Sequence, residues 1–448
     1  MVPGDAGLIR LDLAGIHTLP PGPSTAILEL RHAESSPFGV TRARITILAL
    51  APTTEFASSS RFASAQRINA TDSILIPGLI NAHTHLDLTH IGAQPHNADR
   101  GFVGFVDLVR AHRASDDEAI ARSVSLGIER SLRGGVVGVG DIAGAPRGTP
   151  SLVPFQTLAE SPLFGTSFLE FFAIGKGETA GMAAIARAVV EAAPQSRGER
   201  ARLGLQPHAT NTVSPRAYGH AITLSRAHDF PLSTHLAETL EEREFIAHAS
   251  GPQRELLERL GAWDDSILES HGHGRTPVEH LSPILCLAPF IAAHVNDATD
   301  TDLERLARTH TTVAYCPRAH DYFGARDRLG PHRYAQMIRM GVPVALATDS
   351  VINLDPSEAG RLTPLDDARL LYQRDGTNAD LLMEMITTTP ARAIGLDPTR
   401  AELREGGKPY GLALVAVAPD AEGATPRSPA CRVLESMATP ELFCIATR

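Results

Sequence analysis

Two histidines separated by one residue, His83 and His85, close the apolar stretch LIPGLINAHTH. Side chains two positions apart in an extended strand point to the same side, so both imidazoles can face one point. Neutral imidazole nitrogens are good ligands for Zn²⁺ and Fe²⁺. The spacing alone does not separate a metal site from incidental histidines, because the chain has 19 histidines.

A second pair with the same spacing, His271 and His273, occurs in the segment WDDSILESHGHGRTP. This segment is polar, and it precedes a helix that a proline begins. We therefore predict a loop that binds no metal, one that could lie near the mouth of the active site.

From residue 76 onward, strand-like apolar runs alternate with amphipathic helical segments. The eight runs are ILIPGLINAH, GVVGVGDIAG, TSFLEFFAIG, RLGLQPHAT, DFPLSTHLAE, PFIAAHVND, TTVAYCPRA and PVALATDS. Eight strands, each followed by a helix or loop, predict an α/β fold, a (β/α)8 TIM-like barrel over residues 76–399.

The two ends of the chain have a different pattern, in which short apolar strands alternate with turn residues. Residues 1–75 contain three such runs, and LALVAVA, CRVLES and ELFCIAT follow residue 400. We expect residues 1–75 and 400–448 to form one small composite β-sandwich.

Composition excludes several classes of function. The 448 residues carry a net charge of -10, which gives no basic field for nucleic acid or anionic lipid. The four cysteines form no C-x-x-C pair, there is no basic start followed by an apolar segment, and no apolar run approaches about 20 residues. We expect a soluble, cytoplasmic protein without a membrane partner.

Catalytic groups of such barrels lie at the carboxyl ends of the strands. Five of the eight strand ends here carry histidine or aspartate, namely His83 and His85, His208, His235 (with Glu238 three residues later), His294 and Asp349. The set His83, His85, His235 and Asp349 offers three nitrogens and one carboxylate oxygen. It would suit Zn²⁺ or Fe²⁺ and leave room for a water molecule.

Each of these residues also has a purely structural alternative. His83 and His85 could be incidental strand residues, and Asp349 could only cap the next helix. His294 could be a hydrogen-bonded core histidine, His208 could serve packing alone, and His235 with Glu238 could be a solvated pair.

Five motifs, PGLINAHTHLDL, QPHATNTVS, STHLAET, AAHVND and LATDS, resemble in this order the amidohydrolase superfamily, specifically its mononuclear aminohydrolase branch of deaminases and triazine hydrolases. The similarity covers residues 76–398. It implies that His83, His85, His235 and Asp349 bind one divalent ion, Zn²⁺ with Fe²⁺ as the alternative. It further implies catalytic roles at three positions: Asp349 takes a proton from water, Glu238 carries it to a ring nitrogen, and His294 orients the water.

The same resemblance implies that His208 lines the substrate pocket. Two pocket-forming regions depart from the family pattern. Phe102 and Phe105 stand where many of these deaminases have tryptophan, and CPRAHD replaces the frequent C-P-x-S-N. Phe105, Arg318 and His320 are therefore candidate substrate contacts, although Arg318 and His320 could equally have surface or supporting roles.

The number of metal ions depends on bridging ligands. Relatives with two ions use a carbamylated lysine after strand 4 or a glutamate on strand 3. The only lysines, Lys176 and Lys408, lie elsewhere, which leaves Glu170 as the remaining bridging candidate. Its position within strand 3 favours a supporting or pocket role, so we predict a single ion.

The predicted activity is deamination of a purine-like or related N-heterocycle, such as aminodeoxyfutalosine. The alternatives are hydrolysis of a cyclic amide or a C–Cl bond at the same site and, more remotely, a non-catalytic scaffold of the same fold. Dimers are common among these enzymes, so the resemblance suggests a homodimer with a small heterocycle as its substrate.

Overall fold

The computed structural model of the chain describes residues 7–56, 61–196, 198, 200–420 and 425–447. Its strands are β1 Gly7–Ile16, β2 Ser24–Ser35, β3 Thr41–Pro52, β4 Gln66–Pro77, β5 Leu79–Thr84, β6 Val136–Ala143, β7 Phe164–Phe171, β8 Ala201–Pro207, β9 Leu232–Leu236, β10 Phe290–His294, β11 Thr312–Tyr315, β12 Val344–Leu346, β13 Gly411–Ala416 and β14 Glu441–Ala446.

Its α-helices are α1 Gly101–His112, α2 Asp117–Arg133, α3 Val153–Glu160, α4 Glu178–Ala192, α5 Pro215–His228, α6 Leu240–His248, α7 Pro252–Arg259, α8 Pro277–Leu285, α9 Asp300–Ala307, α10 Pro317–Tyr322, α11 Ala325–Leu329, α12 Tyr334–Arg339, α13 Pro364–Asp375, α14 Ala379–Met385, α15 Thr388–Ala393 and α16 Pro429–Glu435. Within the described ranges, no helix is both long and apolar enough to cross a membrane.

Strands β5 to β12 form one parallel sheet in which each strand pairs with the next along the chain. Every residue of β6 and β7 is buried, because helices cover the outer face of the sheet and side chains from the strands fill its interior. The first and last strands meet where Thr84 pairs with Asp349, and the Asn81 amide donates a 2.8 Å hydrogen bond to the Thr348 hydroxyl. The predicted (β/α)8 architecture is confirmed, with all eight predicted strands.

The strands of both chain ends form a second sheet, in the order β1-β2-β3-β14-β13-β4. The predicted small unit built from both ends is therefore present, but its sheet closes as a barrel. Closure follows because β1 pairs with β2 on one edge and with β4 on the other. Only Gly78 separates β4 from the first strand of the large barrel, and a Cβ there would lie 2.4 Å from Val137 Cγ1.

One predicted strand is wrong. The run CRVLES belongs to α16, not to a strand. Ser428 caps this helix by accepting a hydrogen bond from the Cys431 backbone N–H, and Pro429 occupies the first turn, where its missing N–H costs nothing.

Candidate metal centre

The four predicted ligands come from three distant parts of the chain and meet at the carboxyl end of the large barrel. His83 lies in β5 and His85 just after it, His235 lies in β9, and Asp349 follows β12. All four are buried, with at most 8% of the residue surface exposed. The barrel closure positions them, because the Asp349 N–H donates to the His83 carbonyl at 3.2 Å.

Ligand atoms of His83, His85 and Asp349 lie within 4.8 Å of one another, close enough to share one small divalent ion. His235 adjoins this group through His85. Asp349 Oδ1 lies 3.7 Å from His83 Nε2 and 3.4 Å from His85 Nε2, and His85 Nε2 lies 3.4 Å from His235 Nε2. Ligands held at about 2.1 Å from one ion, at angles of about 90–120°, are roughly 3.0–3.7 Å apart, so these spacings also suit a site with a further position for water. Nε2 of buried His83 also lacks a hydrogen-bond partner among the described residues, as expected for a nitrogen that binds an ion.

Protonation states favour the same arrangement. Burial lowers the pKa of His85 and of His235 well below the usual range, so both rings are neutral at pH 7. His235 Nδ1 lies 3.0 Å from the His208 carbonyl oxygen; a proton donated there leaves the Nε2 lone pair free. Burial alone would raise the pKa of Asp349, but the neighbouring His83, His85 and His294 outweigh it and hold the carboxylate ionised.

The predicted acid–base groups lie beside this cluster. Glu238 Oε1 is 3.5 Å from His294 Nε2. One ring nitrogen from each of His294, His83 and His235 lies within 4.8 Å of the other two. Burial, followed by the negative charges of Asp349 and Glu242, raises the pKa of Glu238 well above its usual value. Burial lowers the pKa of His294 to about 4. A carboxyl with a raised pKa therefore faces a neutral imidazole.

Predicted pocket residue His208 is part-exposed at the end of β8. Its Nδ1 lies 2.7 Å from the Thr212 hydroxyl, and its Nε2 lies 3.9 Å from Glu170 Oε1. Glu170 in turn lies 3.5 Å from the part-exposed guanidinium of Arg113. Although Glu170, His208 and His235 also form a compact group, Arg113 already compensates the Glu170 charge.

A narrow cleft opens beside Glu238, lined by His96, Phe102, Leu240, Phe323 and Arg328 among others. The Phe105 ring, predicted to contact substrate, packs behind this lining, with its centroid 5.0 Å from that of Phe323. Sequence reasoning missed Phe323 and His96, although Phe323 lies in the segment after strand 7 that it had marked as pocket-forming.

Two predicted substrate contacts, Arg318 and His320, do not line this cleft. Arg318 forms ion pairs with Asp367 at 2.7 Å and Glu358 at 3.1 Å. His320 is completely buried, and its Nδ1 lies 3.1 Å from Asn296 Oδ1. Both residues are engaged inside the protein.

Two supporting residues near the metal ligands were also missed. Asp141, near the end of β6, which is the second strand of the large barrel, accepts hydrogen bonds from the Leu86 N–H at 3.2 Å and the Ser167 hydroxyl at 3.1 Å. Arg113 holds Asp87 at 3.0 Å. Asp141 ends its strand in GVGDIAG, so the strand-end rule could have found it, whereas Arg113 follows a helix and has no such signal.

The His271–His273 pair lies between α7 and α8, outside any helix or strand, as the sequence predicted. His271 is buried and lies 3.0 Å (Nε2) from the Thr210 carbonyl oxygen, whereas His273 is exposed. Within the described residues, no group of three potential metal ligands includes either histidine.

Residues 74–421 match the model of the amidohydrolase family. The chain belongs to this family. Over 330 residues it is 29% identical to the aminodeoxyfutalosine deaminase of Deinococcus radiodurans, covering 70% of this chain and 72% of that one.

Two solved structures share the fold at low identity. The aminofutalosine deaminase of Helicobacter pylori gives a TM-score of 0.70 at 19% identity, covering 97% of this chain and 98% of that one. The atrazine chlorohydrolase TrzN of Arthrobacter aurescens TC1, complexed with zinc, gives 0.67 at 17% identity, covering 96% and 92%. The family prediction is confirmed, and this amidohydrolase is a metal-dependent hydrolase acting on carbon–nitrogen bonds other than peptide bonds.

Proposed function

We propose that this amidohydrolase holds one Zn²⁺ ion and deaminates a purine-like nucleoside derivative, with aminodeoxyfutalosine as the leading candidate. The observation that carries the proposal is the convergence of three imidazoles and one carboxylate beside the largely buried carboxyl of Glu238. The substrate assignment draws on the deaminase from Deinococcus radiodurans, whose name specifies that activity.

Deamination replaces an aromatic C–NH₂ group by a carbonyl, consuming one water and releasing ammonia. A bound divalent ion would supply the Lewis acidity that activates water at neutral pH. Asp349 accepts a proton from that water, and Glu238 delivers a proton to the ring nitrogen, which makes the ring carbon electrophilic. His294 orients the water through Nε2, and His208 contacts the heterocycle.

The test combines metal analysis with a substrate panel. The purified protein should contain about one equivalent of zinc and release ammonia from at least one of aminodeoxyfutalosine, 5′-deoxyadenosine, guanine and cytosine. Glu238→Gln should retain the metal while losing about 10²- to 10⁴-fold in kcat, because the amide cannot transfer the proton. A metal-loaded protein that releases no ammonia from any of these compounds would contradict the proposal.

A second candidate uses the same residues to hydrolyse a C–Cl bond or a cyclic amide. The structural likeness to atrazine chlorohydrolase favours including it. Chloride release from a chlorotriazine, or ring opening of a cyclic amide, without ammonia from the heterocycle panel would select it. A third, a non-catalytic scaffold, predicts a folded protein that neither contains nor gains zinc or iron.

Two finer assignments complete the proposal. We favour zinc over iron because histidine nitrogens and a carboxylate oxygen are donor types that Zn²⁺ takes in catalytic sites. We also propose a homodimer, by analogy with related enzymes. Metal analysis of protein produced without added metal tests the first, and light scattering with size-exclusion chromatography tests the second.

A further inference from the structure

The turn that carries Glu238 has an unusual backbone. Ala237, between the last residue of β9 and Glu238, has φ of 51°, in the left-handed region that non-glycine residues adopt at a cost of about 1 kcal/mol or more. A left-handed residue next to an ordinary one allows successive N–H groups to point toward one anion. Here those two donors belong to Ala237 and Glu238.

The acceptor they face is the side chain of Glu242, in the first turn of α6. Glu242 Oε1 accepts from the Ala237 N–H at 3.1 Å, and Oε2 accepts from the Glu238 N–H at 2.7 Å. The Thr210 hydroxyl donates to Oε1 at 2.5 Å, which connects the loop after β8 to the same carboxylate. Glu242 is only 3% exposed, so these contacts replace water.

The other side of the turn is held independently. The Asn296 amide donates to the Glu238 carbonyl at 3.1 Å, and the Asp297 N–H donates to the Ala237 carbonyl at 2.9 Å. The peptide groups on both sides of Glu238 are therefore fixed, although neither Asn296 nor Glu242 contacts the reacting atoms.

We infer that Glu242 is a positioning residue for the reaction: its carboxylate holds the left-handed turn that aims Glu238 at the substrate. This inference rests on the proposed role of Glu238 as the proton carrier. A carboxylate suits the position because it offers two oxygens to two N–H donors, whereas glutamine of the same shape offers one oxygen and turns an N–H toward the other donor. Burial makes that mismatch costly.

The test compares Glu242→Gln with two controls. Glu244→Gln removes an exposed carboxylate from the same helix, one that accepts only from Ser250. Thr210→Val removes the hydroxyl contact and leaves both amide contacts. A displacement of Glu238 by about 1 Å is expected to lower kcat on the order of ten- to a hundredfold. In Glu242→Gln, KM for aminodeoxyfutalosine should change by less than about threefold, with metal content unchanged.

Backbone hydrogen exchange provides a readout that does not need turnover. Peptides covering residues 233–240 should exchange faster in Glu242→Gln than in wild type. In Glu244→Gln their exchange rate should equal that of wild type. Faster exchange with a selective loss of kcat supports the inference. The inference would be overturned if Glu242→Gln left either exchange or kcat unchanged, or if it lost metal together with kcat. An equal loss of kcat in Thr210→Val would also overturn it. If wild type deaminates nothing in the panel, the proposed function fails while the exchange data still decide whether Glu242 holds the turn.

Discussion

The buried ion pair between Arg318 and Asp367 gives a prediction that separates a structural role from a substrate-binding one. Their side chains are 10% and 0% exposed, with Nη2 and Oδ2 2.7 Å apart. Arg318→Met would leave the Asp367 carboxylate buried without its nearest cation, beside the further carboxylate of Asp366. Removing one partner of a buried pair costs about 3–5 kcal/mol.

That cost converts into a measurable shift in Tm. At about 2.1 cal/mol/K per residue, 448 residues give an unfolding entropy of about 0.9 kcal/mol/K. Arg318→Met should therefore lower Tm by roughly 3–5 °C in scanning calorimetry at a fixed scan rate. The matched control is Arg122→Met, which removes an exposed pair with Glu118 on α2 and should change Tm by less than about 1 °C.

The size of the shift should depend on pH. Burial raises the pKa of Asp367 to about 6 even though Arg318 opposes it, so ionising this carboxyl already costs stability as pH rises from about 4 through 6. Without Arg318 the pKa of Asp367 rises further, and at pH 5.5 the variant buries a neutral carboxyl. The Tm deficit should therefore be larger at pH 8 than at pH 5.5.

A double variant completes the test. Asp367→Asn added to Arg318→Met should recover part of the lost Tm, because the uncompensated charge is gone. The reasoning would be refuted if Arg318→Met left Tm within 1 °C of wild type and raised KM more than tenfold. Arg318 would then contact substrate, as its sequence position had suggested.

Three further predictions concern the metal, the cleft and acid stability. Chelation should lower Tm and zinc should restore it, because zinc at 100 times its Kd contributes about 2.7 kcal/mol; in His83→Ala, zinc should have little effect on Tm. Phe323→Ala should raise KM several-fold with unchanged metal content, since the Phe323 ring lines the cleft; an unchanged KM would remove Phe323 from the pocket. Burial lowers the pKa of His332 to about 3, so below pH 6.5 the unfolded chain binds more protons than the folded one. The free energy of unfolding therefore falls by up to about 1.4 kcal/mol for each unit that the pH is lowered. The slope of Tm between pH 6.5 and 4.5 should be shallower in His332→Gln, and an identical slope would contradict this assignment.

Most of the fold could be predicted because barrel strands are buried on both faces. β6 and β7 are buried throughout, and their sequences contain no alternation that would suggest an exposed face. The run CRVLES was misjudged because six residues of mixed polarity fit either periodicity. Its helix depends on the Ser428 cap and Pro429 just before that run.

The strand-end rule selected candidate metal ligands that lie at one end of the barrel, because it depends on topology alone. Arg318 and His320 were proposed from a different signal, the departure of CPRAHD from the family pattern, and neither lines the cleft. The partners that hold Arg318, Glu358 and Asp367, lie 40 and 49 residues further along the chain. No local pattern pairs one of 41 basic residues with particular ones among 51 acidic residues.

Backbone conformation is the part of the site that sequence patterns conceal most. Of the eight non-glycine residues with positive φ in the described ranges, four follow or end strands around the site, namely Ala237, His294, Val295 and Asp349. Glycine would adopt these angles without strain, but it could not supply the Asp349 carboxylate or the His294 imidazole.

The strain, about 1–3 kcal/mol per residue, must therefore be offset by contacts from elsewhere. Thr84 provides one by donating its hydroxyl to the Asp349 carbonyl at 2.9 Å, across 265 positions of sequence. The His332 ring provides another, because its Nε2 lies within hydrogen-bond distance, 2.9 Å, of the His294 carbonyl oxygen. The proposed catalytic residues His294 and Asp349 thus adopt backbone angles that contacts from distant parts of the barrel hold in place. Strand ends could therefore suggest these residues, whereas the folded chain was needed to show how their backbone is held.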